Sequence, residues 1–314
     1  MISKENFFTA ETVASFLHSH YSTPVSDIRE LSSGKHSQAF SYTHEGGEYV
    51  LRCNASNRGF LKDVYAYEHF SGNGFKIPRI YEIGVHDTLA FCISEKIDGE
   101  SIRDQYNKQD FSSLPEQFEM IEKIQTIPPH AGGYGEWEIG VPEKFDSFVE
   151  FARSMYTTKD VFDWDAFKEL PYFNHEFFAQ LVEKIEKNLP YTSTARELLH
   201  GDFGNDNVFM HEGKISGIID WERSRFGDPF LDIGRVVLYC PNREATVSAV
   251  LAHCEKKKDK NYRERIAFGV YYTMLNNYGL ALTKGEEDSS RNYPPRIVEF
   301  EGLMGITPQA ATFE

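Results

Sequence analysis

The sequence predicts an α+β chain of two lobes. Residues 1–97 form a small lobe, a five-stranded antiparallel sheet plus a helix, and residues 98–314 a larger, mainly helical lobe. Up to Glu95, strand-like runs alternate with turn signals, and from Asp98-Gly99 onward the apolar residues fall at helical intervals. A length of 314 residues gives each lobe room for its own core.

The elements follow in order. Val13, Phe16 and Leu17 give Glu11 to His20 helical spacing, with Thr9 as cap. Strands are expected at Val25 to Leu31, Gln38 to Thr43 and Glu48 to Cys53, the last two joined by the hairpin signal Glu45-Gly46-Gly47. Leu61 to Phe70 reads as a helix that Gly72 to Pro78 ends, and Ile80 to Val85 and Leu89 to Glu95 complete the sheet. Further helices are expected at Leu114 to Thr126, Lys144 to Tyr156, His175 to Leu189, Phe230 to Tyr239, Arg243 to Lys256 and Tyr262 to Leu282. Lys256-Lys257-Lys258-Asp259-Lys260 reads as a solvated helix end, where cations complement the dipole.

The most specific signal is His200-Gly201-Asp202-Phe203-Gly204-Asn205-Asp206-Asn207, followed after a short segment by Ile218-Ile219-Asp220-Trp221. Phosphoryl transfer asks for a carboxylate to orient or deprotonate the acceptor hydroxyl and for oxygen ligands to hold Mg²⁺ against the nucleotide phosphates. Asp202 and Asn207 have the interval of a kinase catalytic loop, which makes Asp202 the expected base and Asn207 and Asp220 the expected metal ligands. Strands at Asn207 to Met210 and Ile215 to Ile219 would bring Asn207 and Asp220 together. Gly201 stands where protein kinases carry Arg, and the stretch from Trp221 to Gly227 is too short for a long activation segment, so the reading turns away from protein substrates. A zinc site at His200 and Asp202 lacks a second ligand pair at suitable spacing. The fold expected from all of this is bilobal and protein-kinase-like.

On the nucleotide side, the loop Ser33 to Gln38 carries Ser33, Gly34 and Ser37, small residues suited to covering phosphates with backbone N–H groups and hydroxyls, although Ser32 to Ser37 reads equally as a plain polar turn. Most kinases place a Lys on the third strand, paired with a Glu on the next helix. Here the pair is Arg52 and Asp63, with Glu68 as the competing carboxylate.

These motifs resemble the aminoglycoside phosphotransferase family. The likeness rests on His200 to Val208, Ile219-Asp220-Trp221-Glu222, Phe226-Gly227-Asp228-Pro229 and Asp232. In the first half it rests on Leu31-Ser32-Ser33-Gly34, Ala39-Phe40-Ser41, Tyr49-Val50-Leu51-Arg52, Lys62-Asp63, Tyr67, His69-Phe70 and Cys92-Ile93-Ser94, which are similar in order and spacing to the hygromycin-type branch. It covers most of residues 10–103 and 195–240. The resemblance implies ATP, with GTP possible, as phosphoryl donor, Mg²⁺ as cofactor and an aminoglycoside or aminocyclitol such as hygromycin B as acceptor. It further implies that the Glu95 carbonyl and the Ile97 N–H hold the adenine, that Gly99 turns the chain and that Asp232 supports the catalytic loop. Asp206 has at most an accessory part, Trp221 is expected in packing, and Asn205, Glu222 and Arg223 are candidates to face the acceptor.

Composition bounds the partners. With 33 Lys and Arg against 48 Asp and Glu, the net charge of −15 disfavours nucleic acid and would steer a cationic small molecule, although acidity for solubility alone accounts for it equally. Cys53, Cys92, Cys240 and Cys254 form no Cys-x-x-Cys pair and read as buried thiols of a reducing compartment. No signal-peptide pattern and no apolar run of about 20 residues is present, so a cytoplasmic protein without membrane contact, a monomer or weak dimer, is expected. Two rivals stay open. A housekeeping kinase for choline, homoserine or a sugar amine would keep every motif, and a nonenzymatic pseudokinase is favoured by Arg52 but opposed by Asp202, Asn207 and Asp220.

Overall fold

Thr9 starts the first element with a reciprocal cap. Its N–H donates to Thr12 Oγ1 at 2.7 Å and its own Oγ1 accepts from the Thr12 N–H at 3.2 Å, which satisfies donors that a helix start leaves open. The helix so begun, α1 (Ala10–His20), turns Val13, Phe16 and Leu17 into a core shared with Phe40, Tyr42, Leu51, Cys53, Phe91 and Ile93. The structure, a computed structural model, describes residues 9–33, 37–129, 132–141 and 144–306. These fall into two units, one of residues up to Glu100 together with Asn207–Arg223, the other of Ser101–Asp206 with Ser224 onward.

In the first unit β1 (Val25–Ser33), β2 (Ser37–His44), β3 (Gly47–Asn54), β4 (Ile80–His86) and β5 (Leu89–Glu95) form an antiparallel sheet in the order β1-β2-β3-β5-β4. The β2–β3 turn has Glu45 at φ 49° and Gly46 at φ 79°, the paired positive values of a two-residue hairpin whose twist matches the strands. Side chains alternate across a strand. In β5, Phe91 and Ile93 join the α1 core while Ala90 and Cys92 pack with Phe60 of α2 (Arg58–Phe70). The sheet thus carries a helix on each face, α1 on one and α2 on the other, and this explains why Leu89 to Ser94 are all buried.

The same unit takes in a hairpin from much later in the chain, β9 (Val208–His211) and β10 (Lys214–Ile218), numbered after β6 (Glu100–Ser101), β7 (Gly135–Glu136) and β8 (Glu197–Leu199) of the intervening chain. Ser216 Oγ donates to the Asp98 carbonyl at 2.6 Å and the Ile218 N–H to the Lys76 carbonyl at 2.9 Å. Gly99, at φ 106°, lets the chain pass the hairpin, because a Cβ there would stand 2.1 Å from the Met210 carbonyl oxygen.

The second unit is helical: α3 (Ile102–Asn107), α4 (Leu114–Gln125), α5 (Phe148–Thr157), α6 (Trp164–Lys168), α7 (His175–Asn188), α8 (Phe230–Tyr239), α9 (Arg243–Lys257), α10 (Tyr262–Lys284), α11 (Glu287–Arg291) and α12 (Tyr293–Met304). The helix expected from Lys144 begins only at Phe148, because Ser147 and Glu150 cap each other, both bonds being 3.2 Å. Helix α12 is not among the helices expected from the sequence, and Pro294 and Pro295 stand at its start. They occupy its first turn, where a missing N–H costs nothing.

At the centre, α10 is buried on nearly every side and crosses α8 glycine to glycine. A Cβ on Gly234 would lie 2.2 Å from the Gly269 carbonyl carbon, which is backbone and cannot step aside. Gly234→Ala is therefore expected to destabilise the protein by about 1–3 kcal/mol through overpacking, read as a lower urea midpoint at unchanged slope.

Candidate active site

The loop that carries Asp202 leaves β8, which pairs with β11 (Arg225–Gly227), itself paired with β7. His200 is fully buried, and the turns that follow use positive φ at Gly201, Gly204 and Asn205. Their conformation is held from α8. Asp232, 1 % exposed, accepts from the His200 N–H at 2.8 Å through Oδ2 and from the Gly201 N–H at 2.9 Å through Oδ1. The expected support of the loop by Asp232 is thus a pair of backbone bonds. Burial pushes the Asp232 carboxyl up to about 6, opposed by Arg235 and by the two N–H groups.

A carboxyl raised on folding stabilises the native state fully below its unfolded value and loses that stabilisation as pH rises through about 6. Asp232→Asn is expected to abolish this part of the pH dependence of stability. Asparagine accepts through one oxygen only, so one loop N–H would face an amide donor, at a cost of about 1–3 kcal/mol. Urea unfolding across pH 4–8 measures both effects.

The Asp202 N–H donates to His200 Nδ1 at 3.3 Å, and the Asp202 carboxylate, partly exposed, meets the guanidinium of Arg235 through Oδ1. Arg103 pairs with Asp206 on the surface, and its N–H donates to the Asn205 carbonyl at 3.1 Å. Asp206 is therefore engaged by a surface ion pair, of the kind that contributes little to stability. Asp228 is fully buried and takes Arg265 bidentately at 2.8 and 2.9 Å, along with the N–H groups of Ser193 and Phe230. It ties α10 to the start of α8.

In the first unit, the Ile219 N–H donates to the Asn207 carbonyl at 2.9 Å, closing the base of the β9–β10 hairpin one residue before Asp220. That closure brings Asn207 beside the Asp220 segment, as the strand spacing suggests. Asp220 itself lies at φ 63°, left-handed backbone that is uncommon for a non-glycine residue. Helix α2 holds the residues that follow. Asp63 Oδ1 accepts from the Trp221 N–H at 2.7 Å and Lys62 Nζ donates to the Glu222 carbonyl at 2.6 Å. Trp221 is fully buried and stacks on Phe75, so it serves packing.

Arg52 on β3 meets Asp63 Oδ2 at 2.6 Å, donates to Cys92 Sγ at 3.6 Å and lies over the Phe60 ring. Glu68 is exposed, and Asp63 is the partner. Burial alone would lower the Arg52 pKa, but Asp63, then Cys92 and Asp220, raise it, so the guanidinium stays charged. The Glu95 side chain is taken by Lys76 at 2.6 Å and by the Arg79 N–H at 3.3 Å. Ile97 is buried. Ser33 and Ser37 end β1 and begin β2, while Gly34 lies outside the described residues.

Asn207 and Asp220 offer an amide and a carboxylate, hard oxygen donors of the kind Mg²⁺ takes. Among the described residues no group of three His, Cys, Asp or Glu could hold a metal by itself, and Mg²⁺ in kinases needs only one or two protein ligands beside the phosphates. The donor set fits. Arg235 and Arg265 are the functional candidates that sequence reasoning passes over. Their only signal is spacing, three residues after Asp232 for Arg235, and none for Arg265, which meets Asp228 across 37 residues.

The model of the phosphotransferase enzyme family matches residues 27–267. The chain belongs to that family. Hygromycin-B 4-O-kinase of Escherichia coli is 28% identical over 252 residues, spanning 76% of this chain and 69% of that protein. Acyl-CoA dehydrogenase family member 11 of Gallus gallus is 25% identical over 225 residues, 66% of this chain but only 27% of that protein. Among solved structures, aminoglycoside phosphotransferase APH(4)-Ia superposes with a TM-score of 0.80 at 23% identity, covering 96% of this chain and all of that one. A ternary complex of a thermostable mutant of that phosphotransferase with AMP-PNP and hygromycin B gives 0.79 at 23% identity over 95% of this chain. The fold of this phosphotransferase is accordingly kinase-like, with a five-stranded antiparallel sheet and a helical C-terminal part. No described helix is long and apolar enough to cross a membrane.

Proposed function

We propose that the protein is an ATP- and Mg²⁺-dependent kinase that phosphorylates a hydroxyl of an aminoglycoside or aminocyclitol antibiotic, with hygromycin B or a near relative as the preferred acceptor. The observation that carries the reaction type is the Asp202 carboxylate, presented by a loop whose backbone is bonded to buried Asp232 and whose side chain is met by Arg235. The similarity to hygromycin-B 4-O-kinase supports the acceptor class. The net charge of −15 favours approach of a polycation.

In this reading Asp202 orients the acceptor hydroxyl and takes its proton as the oxygen–phosphorus bond forms, while the bond from the γ-phosphorus to the β-phosphate oxygen breaks and ADP departs. Asn207 and Asp220 would hold Mg²⁺, which when bound neutralises charge on the phosphates. Arg52, kept charged and fixed by Asp63, restrains the phosphates, with Ser33, Gly34 and Ser37 covering them. The Glu95 carbonyl and the Ile97 N–H hold the base. The protein acts in the cytoplasm as a monomer or weak dimer.

The test is a coupled ATP-consumption assay, with GTP in parallel, over aminoglycosides, choline, homoserine and amino sugars. Turnover with hygromycin B or another aminocyclitol is expected. Turnover confined to metabolic alcohols would reject the antibiotic acceptor, and Mg-ATP binding without any turnover would reject the kinase.

A further inference from the structure

Helix α8 touches the catalytic loop at two points, and only the first is accounted for by holding the loop's shape. Asp232 bonds the backbone at His200 and Gly201, while Arg235, one turn further on the same helix face, meets the side chain of Asp202. We propose that Arg235 is a positioning residue for phosphoryl transfer, holding the Asp202 carboxylate in the orientation that receives the acceptor's proton. The inference rests on the reading of Asp202 as the base.

The guanidinium is fixed from behind. Its Cζ lies 5.0 Å from the centre of the Tyr239 ring, one helical turn on, and the Tyr239 hydroxyl donates to Asn277 Oδ1 of α10 at 2.8 Å. The helix carrying Arg235 is locked in turn by the close backbone contact of Gly234 with Gly269. A partly exposed carboxylate without such a partner would exchange rotamers, and small misplacements of a reacting group are expensive in rate.

The form of the contact argues against a purely structural ion pair. Arg235 meets Asp202 Oδ1 through a terminal nitrogen, and its buried Nε–H has no hydrogen-bond partner among the described residues. Burying a donor without a partner is destabilising, so stability alone does not account for the placement of this arginine. What this arrangement secures is the direction of the Asp202 carboxylate. In that direction the carboxylate receives the proton released as the acceptor oxygen bonds to phosphorus.

The test uses the full chain with Arg235→Met and Arg235→Lys, hygromycin B as acceptor and, should that not turn over, the best alcohol of the panel above. Arg235→Met is expected to lower kcat by about 10²-fold, with KM for ATP within about twofold and the melting temperature not lowered. Arg235→Lys should recover part of the loss by restoring the charge without the rigid fork. In an Asp202→Asn background Arg235→Met should cost nothing more, because the carboxylate it positions is gone. Near-normal turnover of Arg235→Met, or a loss that adds fully to that of Asp202→Asn, would overturn the inference. Failure of the underlying reading has its own signature, near-normal turnover of Asp202→Asn itself, whatever Arg235 does.

Discussion

Asp202→Ala is expected to lower turnover by about 10²–10⁴-fold while Mg-ATP binds within about twofold of the unaltered protein. The loop that carries Asp202 is held by Asp232 through main-chain bonds, which the substitution leaves in place, so the effect should fall on chemistry and not on folding. Phosphate contacts and metal ligands are assigned to other residues, which is why nucleotide affinity should survive. Single-turnover phosphorylation with excess protein, run beside a nucleotide-binding titration, separates the two quantities. Near-normal turnover would remove Asp202 from the mechanism and with it the assignment of the loop.

Asp63→Ala should be the most destabilising of the changes considered, by about 3–5 kcal/mol, because it leaves the Arg52 charge buried without its partner. The same change strips the Trp221 N–H of its acceptor, so the Asp220 turn is loosened as well. KM for ATP should rise in parallel. A paired replacement, Arg52→Met with Asp63→Leu, sorts these effects. Apolar side chains of similar volume can restore stability, as they do for many buried ion pairs, but they cannot restore a cation beside the phosphates. Urea unfolding and ATP kinetics on the single and paired variants are the measurements. Recovery of KM along with stability would show that Arg52 serves the fold alone.

Much of this arrangement is legible in the sequence because it is local. The strands and their two-residue turns, α1 with its Thr9 cap, and the β9–β10 hairpin that joins Asn207 to the Asp220 segment follow from patterns a few residues long. The Arg52–Asp63 pair is legible only in part, because Glu68 on the same helix competes in the sequence and the fold alone turns Asp63 inward and Glu68 to solvent. Arg235 on Asp202 and Arg265 on Asp228 are not, because an ion pair between distant positions leaves no periodicity for either partner to betray. Helix α12 is hidden for a different reason, since Pro294-Pro295 signals a break unless one knows that it opens the helix.

The return of Asn207–Arg223 to the first unit has a consequence for how the chain is made. Lys62 and Asp63 find their partners, Glu222 and Trp221, 160 and 158 residues downstream. A ribosome adding about 5–20 residues per second delivers that segment roughly 6–25 s after Glu100 is joined. Throughout that interval the nascent sheet has its own helices but lacks the indole and carbonyl that cover Phe75 and Lys62, so an apolar surface and a buried-to-be ammonium wait for their cover. Translation speed between codons 100 and 223 thus sets how long the half-built unit is open to chaperones and proteases, and synonymous changes there should alter soluble yield without altering a single residue.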